Sequence, residues 1–225
     1  MYPINLRLTK KKCVVVGGGE VALRKVRGLL AADAAITVVA PQVVRELRKL
    51  AELGKIAWLP QNYAPGLLAG SFLTICATNN QTVNKAVALE AKATGILVNA
   101  PAEPELSDFF VPSVLRRGQV MFTVSTDGLS PALSRALREK MERDFPPAYG
   151  EWLETVASIR QEMKHRLASS REREEFWRAA LSAEILALIQ AGKLKQAEVE
   201  LRYAADGFGL KPQDSPGYGT GAIRT

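Results

Sequence analysis

Three glycines in a row, Gly17-Gly18-Gly19, follow the apolar run Cys13-Val14-Val15-Val16 and precede a helical pattern from Glu20 to Ala31. A strand, a G-x-G turn and a helix in that order form a cradle for a dinucleotide pyrophosphate. Glycine lets the backbone approach the phosphates, and the helix N-terminus offers unpaired N–H groups and a positive dipole end. Ala22 stands at the third small position of the fingerprint. With strand before and helix after, the spacing predicts a cofactor at Gly17 and Gly19 in preference to a purely structural turn. A second loop, Ala77-Thr78-Asn79-Asn80, follows a later strand, and its small and amide side chains suit cofactor contact there, Thr78 and Asn79 above all. After the second strand the chain reads Val39-Ala40-Pro41-Gln42, without the usual carboxylate that grips a ribose, so NAD and NADP both stay open. Arg45 could meet a 2′-phosphate, although a solvated helix residue is the simpler reading.

These loops need a scaffold, and the patterning supplies one. Short apolar strands at 13–16, 36–39, 56–59, 71–77 and 96–98 alternate with helices at 20–31, 42–53 and 81–94. Continuous apolar strands between helices predict an α/β fold with a parallel sheet covered on both faces. Past Pro112 a further strand spans 120–126. Ser130-Pro131 then caps and opens a helix to about Phe145, and Pro146-Pro147 stops it. Residues 148–205 read as helical, with stripes at Leu153, Val156 and Ile159 and at Leu181, Ile185 and Leu188. The segment 206–225 holds five glycines and two prolines and is expected to be disordered.

Composition narrows the classes. At 225 residues with 47% hydrophobic and 24% charged side chains, the chain is expected to fold as one or two globular domains. It has no apolar run of membrane-spanning length and no signal-peptide pattern, which predicts a cytoplasmic protein without a membrane partner. Cys13 and Cys76 lie in apolar runs and read as buried free thiols, and a single His argues against a dedicated zinc site. His165, between Lys164 and Arg166, reads as a surface residue. Of the net charge of +7, residues 1–113 carry +5, with 13 basic and 8 acidic side chains. The excess is thus no detachable basic tail, and no recognisable nucleic-acid module accompanies it.

Four separated motifs occur in order: Gly17 to Lys25 (G-G-G-x-V-A-x-R-K), Ala77 to Asn84 (A-T-N-N-x-x-V-N), Asp108 to Ser113 (D-F-F-V-P-S) and Val124 to Arg135 (V-S-T-D-G-x-S-P-A-L-S-R). Together they resemble the precorrin-2 dehydrogenase / sirohydrochlorin ferrochelatase family, the siroheme-synthase module, over about residues 2–205. The resemblance implies a Rossmann-type NAD-binding domain at 1–113, a dimerisation segment at 114–147 and a helical domain at 148–205, assembled as a homodimer. It implies NAD-dependent oxidation of precorrin-2 to sirohydrochlorin, followed in some members by insertion of Fe²⁺. It adds Glu20, Val21, Pro41 and Gln42 to the cofactor contacts, and places Ser125, Thr126 and Ser130 by a substrate cleft. Capping is the competing role for Ser130. A chain of this length is expected to lack the methyltransferase module of the fused members.

One position departs from the family. With Asn99 and Pro112-Ser113 in register, the catalytic Asp of the family falls at Ala102, in Asn99-Ala100-Pro101-Ala102-Glu103-Pro104. Alanine cannot hold a proton, so Glu103 or Asp108 takes over the role, or one activity is impaired and the chain is a tetrapyrrole- or nucleotide-binding protein. Arg135 and Arg138, one turn apart, can pair with substrate carboxylates or with Glu139 and Glu142. An eight-carboxylate macrocycle as the partner would make the net charge a steering field.

Overall fold

The computed structural model describes residues 1–208. They form two compact units that meet in sequence at Val111 and Pro112, each described here by itself.

In the first unit, Lys12–Val16 (β1), Ala35–Val39 (β2), Ala57–Leu59 (β3), Leu73–Cys76 (β4) and Leu97–Asn99 (β5) make one parallel sheet, in the order β3-β2-β1-β4-β5. The helices are Glu20–Leu30 (α1), Arg45–Glu52 (α2) and Gln81–Ala93 (α3). Strand side chains alternate between faces. Cys13 and Val15 therefore join Leu23, Val26, Leu29 and Leu47 of α1 and α2 on one side. Val14, Val16 and Cys76 meet Val87, Ala88 and Ala91 of α3 on the other. With both faces covered, nearly every β1 and β4 side chain is buried, which is why these strands are continuously apolar. The sheet is the parallel α/β sheet that the patterning predicts and of the Rossmann type that the resemblance implies, and its order reverses between β1 and β4.

The helix expected from Gln42 starts instead at Arg45. Val44 N–H donates to Gly18 O (2.8 Å), so 41–44 are held against the glycine turn and cannot wind into the helix.

The second unit opens with a hairpin, Ser113–Arg117 (β6) against Val120–Val124 (β7). The polar run Ser-Val-Leu-Arg-Arg hides β6 from a sequence reading. Gly118, at φ +58°, turns the hairpin, and Pro131–Asp144 (α4) follows. Arg117 donates to Phe145 O (2.6 Å) and Glu142 O (3.1 Å), filling carbonyls that the C-terminus of α4 leaves unpaired. Ala148–Arg166 (α5), Ser170–Ala180 (α6), Ala183–Gln190 (α7) and Leu194–Gly207 (α8) complete the unit around Trp152, Ile159, Met163, Phe176, Ile189 and Leu201. On α5 the inward stripe is Trp152, Ile159 and Met163; Leu153 is only half-buried. Helix α8 runs beyond the expected limit at 205, and the Phe208 ring lies 5.4 Å from that of Phe176. The expected disordered segment otherwise lies outside the described residues. Among the described residues no helix is long and apolar enough to cross a membrane.

Seven of the thirteen basic residues of 1–113 gather at one end of the sheet. Lys10, Lys11, Lys12 and Lys55 lie at the N-terminal ends of strands, and Arg27, Lys49 and Lys92 in the last turns of α1, α2 and α3. All seven sit at the sheet edge opposite the glycine turn. Exposed carbonyls at helix C-termini favour cations there, which accounts for three of them.

Both cysteines are free and buried. Burial pushes the Cys76 thiol up to about 12 and that of Cys13 up to about 11. The unfolded chain ionises near 9 while the folded chain keeps both protons. This stabilisation is complete below about pH 8 and drains away as pH rises from about 9, by about 1.4 kcal/mol per thiol at pH 10. Urea melts at pH 7 and pH 10 should show that loss, and Cys76→Ala should shrink it by about half.

Candidate cofactor-binding site

A cleft of about 490 Å³ opens where the strand order reverses, at the C-terminal ends of β1 and β4. Ligands bind open α/β sheets at such a point. Its walls are Gly17–Gly19, Val39–Gln42, Asn62–Tyr63, Ala77–Asn80 and Val83.

The three glycines meet three different demands. At Gly17 (φ +129°) a Cβ would lie 2.2 Å from Ala77 O, because the turn crosses directly over the end of β4. At Gly18 a Cβ would lie 2.0 Å from Gln42 O. Around Gly19 there is no atom within 4 Å of the Cβ position, and its φ of −89° suits any residue. The protein's own packing therefore requires the first two. The third leaves open space directly before α1, at a helix N-terminus that no side chain caps. A dinucleotide pyrophosphate fits such a place: there is room at Gly19, and N–H groups of the first turn are directed toward it.

The opposite wall is built by an amide clamp. Asn84, 2% exposed, accepts from Thr78 N–H (3.3 Å) and Thr78 Oγ1 (2.8 Å), and donates to Thr78 O (3.0 Å). Asn80 Oδ1 accepts from Val83 N–H (3.2 Å) and caps α3. A second helix N-terminus thus begins at the cleft. Thr78 shapes this loop through Asn84, while Asn79 stays exposed on the cleft wall. Asn84 stands in the A-T-N-N-x-x-V-N motif, one helical turn past Asn80, but its role as a clamp was not legible there. Asn62 and Tyr63 carry no sequence signal; the loop after β3 brings them in. The Tyr63 hydroxyl bonds the Glu90 carboxylate, and burial, with that partner adding to it, pushes the phenol well above its ordinary range.

Gly17, Gly19, Pro41, Gln42, Thr78 and Asn79 thus line one cleft, and Glu20 and Val21 form the exposed first turn of α1 beside it. The second strand ends without a carboxylate, and Arg45 opens α2. Glu103 and Asp108 belong to an excursion beyond β5, two strands from β1 and so about 10 Å across the sheet. Asp108 is tied to the strand: its N–H donates to Val98 O (2.8 Å), and its carboxylate accepts from Val98 N–H (3.0 Å). The Glu103 side chain is half-buried, and among the described residues no hydrogen bond engages its carboxylate. Ala102 is exposed.

Ser125, Thr126, Ser130 and Arg135 lie in the second unit. Asp127 (φ +52°) and Gly128 (φ +82°) make the turn closed by Leu129 N–H to Thr126 O (2.8 Å). Ser125 Oγ accepts from Asp127 N–H (3.3 Å), Thr126 Oγ1 from Ser130 N–H (3.1 Å), and Ser130 Oγ from Leu133 N–H (3.2 Å). All three hydroxyls therefore shape the turn and cap α4. Arg138 is committed to Glu142 and Glu139, whereas Arg135 is exposed and makes no ion pair among the described residues. His165 is exposed on α5. No group of three metal-ligating side chains occurs among the described residues.

A family model for NAD(P)-binding domains matches residues 4–113, and one for the sirohaem synthase dimerisation region matches 148–204. The segment 114–147, expected to mediate dimerisation, lies between them. The chain is 41% identical over 208 residues to a siroheme synthase of Chromobacterium violaceum, covering 92% of this chain and 44% of that one. It is 37% identical over 220 residues to a siroheme synthase of Nitrosococcus oceani, covering 98% and 47% respectively. The chain therefore spans less than half the length of these relatives. A solved structure of SirC, precorrin-2 dehydrogenase, superposes with a TM-score of 0.70 at 30% identity, covering 88% of this chain and all of that one.

Proposed function

Because the chain belongs to the precorrin-2 dehydrogenase and siroheme synthase family, we propose that it acts in siroheme biosynthesis, oxidising precorrin-2 to sirohydrochlorin with NAD in the cytoplasm. The observation that carries this reading is Gly19, a glycine that the fold itself does not need, placed at an uncapped helix N-terminus inside the cleft. NAD bound there supplies the hydride acceptor. The first turn of α1 would hold its pyrophosphate, Pro41 and Gln42 its adenosine side, and the clamped Thr78–Asn79 loop the facing wall.

Of the two carboxylates near the position of the missing Asp, Glu103 is the one with its oxygens unengaged among the described residues, so it takes the role of proton acceptor; Asp108 braces the edge of β5. A base must have a free lone pair within reach of its proton. Arg135, which makes no ion pair among the described residues, would hold a substrate carboxylate, with Ser125, Thr126 and Ser130 shaping the turn before α4.

Purified protein, NAD and enzymatically made precorrin-2, mixed anaerobically, should generate NADH absorbance, with NADP run in parallel. Glu103→Gln should lower kcat about a hundredfold, within the range for a general base. Tight binding of NAD and sirohydrochlorin without turnover by the wild type would sink the oxidation reading in favour of a binding protein. Adding Fe²⁺ and sirohydrochlorin to the same protein reads out the family's second reaction.

The homodimer belongs to the same proposal. Leu133 and Leu137, one turn apart on α4, are 50% and 40% exposed, and Leu129, in the turn just before the helix, is 89% exposed; together they make an apolar patch at the start of α4. A second copy would cover it. Leu133→Glu with Leu137→Glu should yield a monomer in sedimentation; an unchanged dimer would place the interface elsewhere, for instance on 148–204.

A further inference from the structure

We propose that Lys25 is a positioning residue, which through Asn99 links the cofactor-binding helix to the loop that carries Glu103. The inward face of α1 is otherwise Ala22, Leu23, Val26 and Leu29. On the flank of that face, Lys25 reaches across the sheet and donates to Asn99 Oδ1 (3.2 Å) at the end of β5. Asn99 is 2% exposed and uses the other end of its amide as well, donating to Phe109 O (2.9 Å). Burial pushes the Lys25 ammonium below its ordinary range, with Arg24 adding to the effect. An ammonium drawn out of water in this way is costly unless a hydrogen bond answers it, and Asn99 provides one.

The segment between Asn99 and Phe109 is a closed excursion. Ala100 N–H donates to Ser107 Oγ (2.9 Å), Ser107 Oγ donates back to Ala100 O (3.1 Å), and Asp108 is bonded twice to Val98. Inside it, Glu103 N–H donates to Ala100 O (2.9 Å) and Leu106 N–H to Glu103 O (3.0 Å). Its base is stapled to β5, and Asn99 joins the outgoing end to α1. A helix moves as a rigid element, so an adjustment at Gly19–Val21 on pyrophosphate binding is felt at Lys25, about one turn further on. The arrangement couples occupancy of the cleft to the order of the loop bearing the acid.

The linkage does not depend on the dehydrogenase reading; its consequence for turnover does. Amide hydrogen exchange with and without saturating NAD tests the linkage alone. In the wild type, NAD should slow exchange at Glu103, Leu106 and Asp108 about fivefold or more. Lys25→Met should abolish that slowing while NAD still binds within about threefold, and Lys25→Arg, which keeps a donor, should restore it. Asn99→Asp leaves Lys25 an acceptor but loses the donor to Phe109, and should also uncouple the loop; it serves if Lys25→Met fails to fold. In turnover, Lys25→Met should lower kcat about tenfold with the KM for NAD nearly unchanged. The proposal is overturned if NAD leaves the wild-type loop unprotected, or protects it equally in Lys25→Met. A wild type without turnover but with NAD-dependent loop protection would sink the dehydrogenase reading and leave the linkage standing.

Discussion

Gly19→Val is expected to weaken NAD binding about a hundredfold or more, a loss near 3 kcal/mol, while lowering the melting temperature by no more than about 5 °C. The Cβ position of Gly19 has no neighbour within 4 Å, and its backbone is extended, so the free protein accommodates the branched side chain without strain. The residue is the N-cap of α1 but contributes no capping side chain, and since glycine outranks valine at an N-cap the exchange costs on the order of 1 kcal/mol. The two added methyl groups would fill the approach to the first-turn N–H groups, the space a pyrophosphate needs. Titration calorimetry with NAD and a thermal melt read the two effects separately. Wild-type affinity in this variant would remove the cofactor from the N-terminus of α1, and the proposed function would lose its main support.

Gly17→Ala should do the opposite, failing first in stability. Its φ of +129° lies where side chains are strained, and the new Cβ would fall 2.2 Å from the carbonyl oxygen of Ala77. That oxygen ends a buried strand and cannot retreat as a flexible side chain could. The backbone strain alone is on the order of 1–3 kcal/mol, and relieving the overlap by parting β1 from β4 raises the total to about 3 kcal/mol or more. Against a domain stability of about 5–15 kcal/mol, this should lower the urea midpoint of the first unit sharply or prevent its folding. NAD should rescue little, because the parted strands also widen the cleft. A stable Gly17→Ala protein with normal NAD affinity would show that the turn has another conformation available. The two substitutions separate a glycine needed by the protein from one needed by its ligand.

How much of this was legible beforehand differs by element. The five parallel strands could be read because burial on both faces forces continuous apolar runs, as in Val14-Val15-Val16 and Leu73-Thr74-Ile75-Cys76. Ser130-Pro131 announced α4 by capping chemistry alone, and Ser130 Oγ does accept from Leu133 N–H. Strand β6 was not legible, since Ser113-Val114-Leu115-Arg116-Arg117 is an exposed hairpin arm with one buried side chain, Leu115. Nor was the late start of α2 at Arg45: Gln42 to Leu53 has a helical pattern, and only the bond from Val44 to Gly18 O holds its first residues out.

The candidate site divides along the same line. Local sequence by itself determined the glycine turn, the Thr78–Asn79 loop and the absence of a carboxylate at Pro41-Gln42, because strand, turn and helix N-terminus are contiguous and their chemistry is local. Only the tertiary structure decided which glycine serves the ligand, since that depends on Ala77 and Gln42, distant in sequence from Gly17 and Gly18. It likewise decided that Asp108 is spent on Val98, while the Glu103 carboxylate has no such bond among the described residues. It placed seven of the thirteen basic residues of 1–113 at the strand ends away from the cleft, which net charge alone could not show. A side chain's availability is set by the partners that folding brings to it, and Ala77 and Gln42 lie tens of residues from the glycines they crowd, beyond the reach of any local pattern.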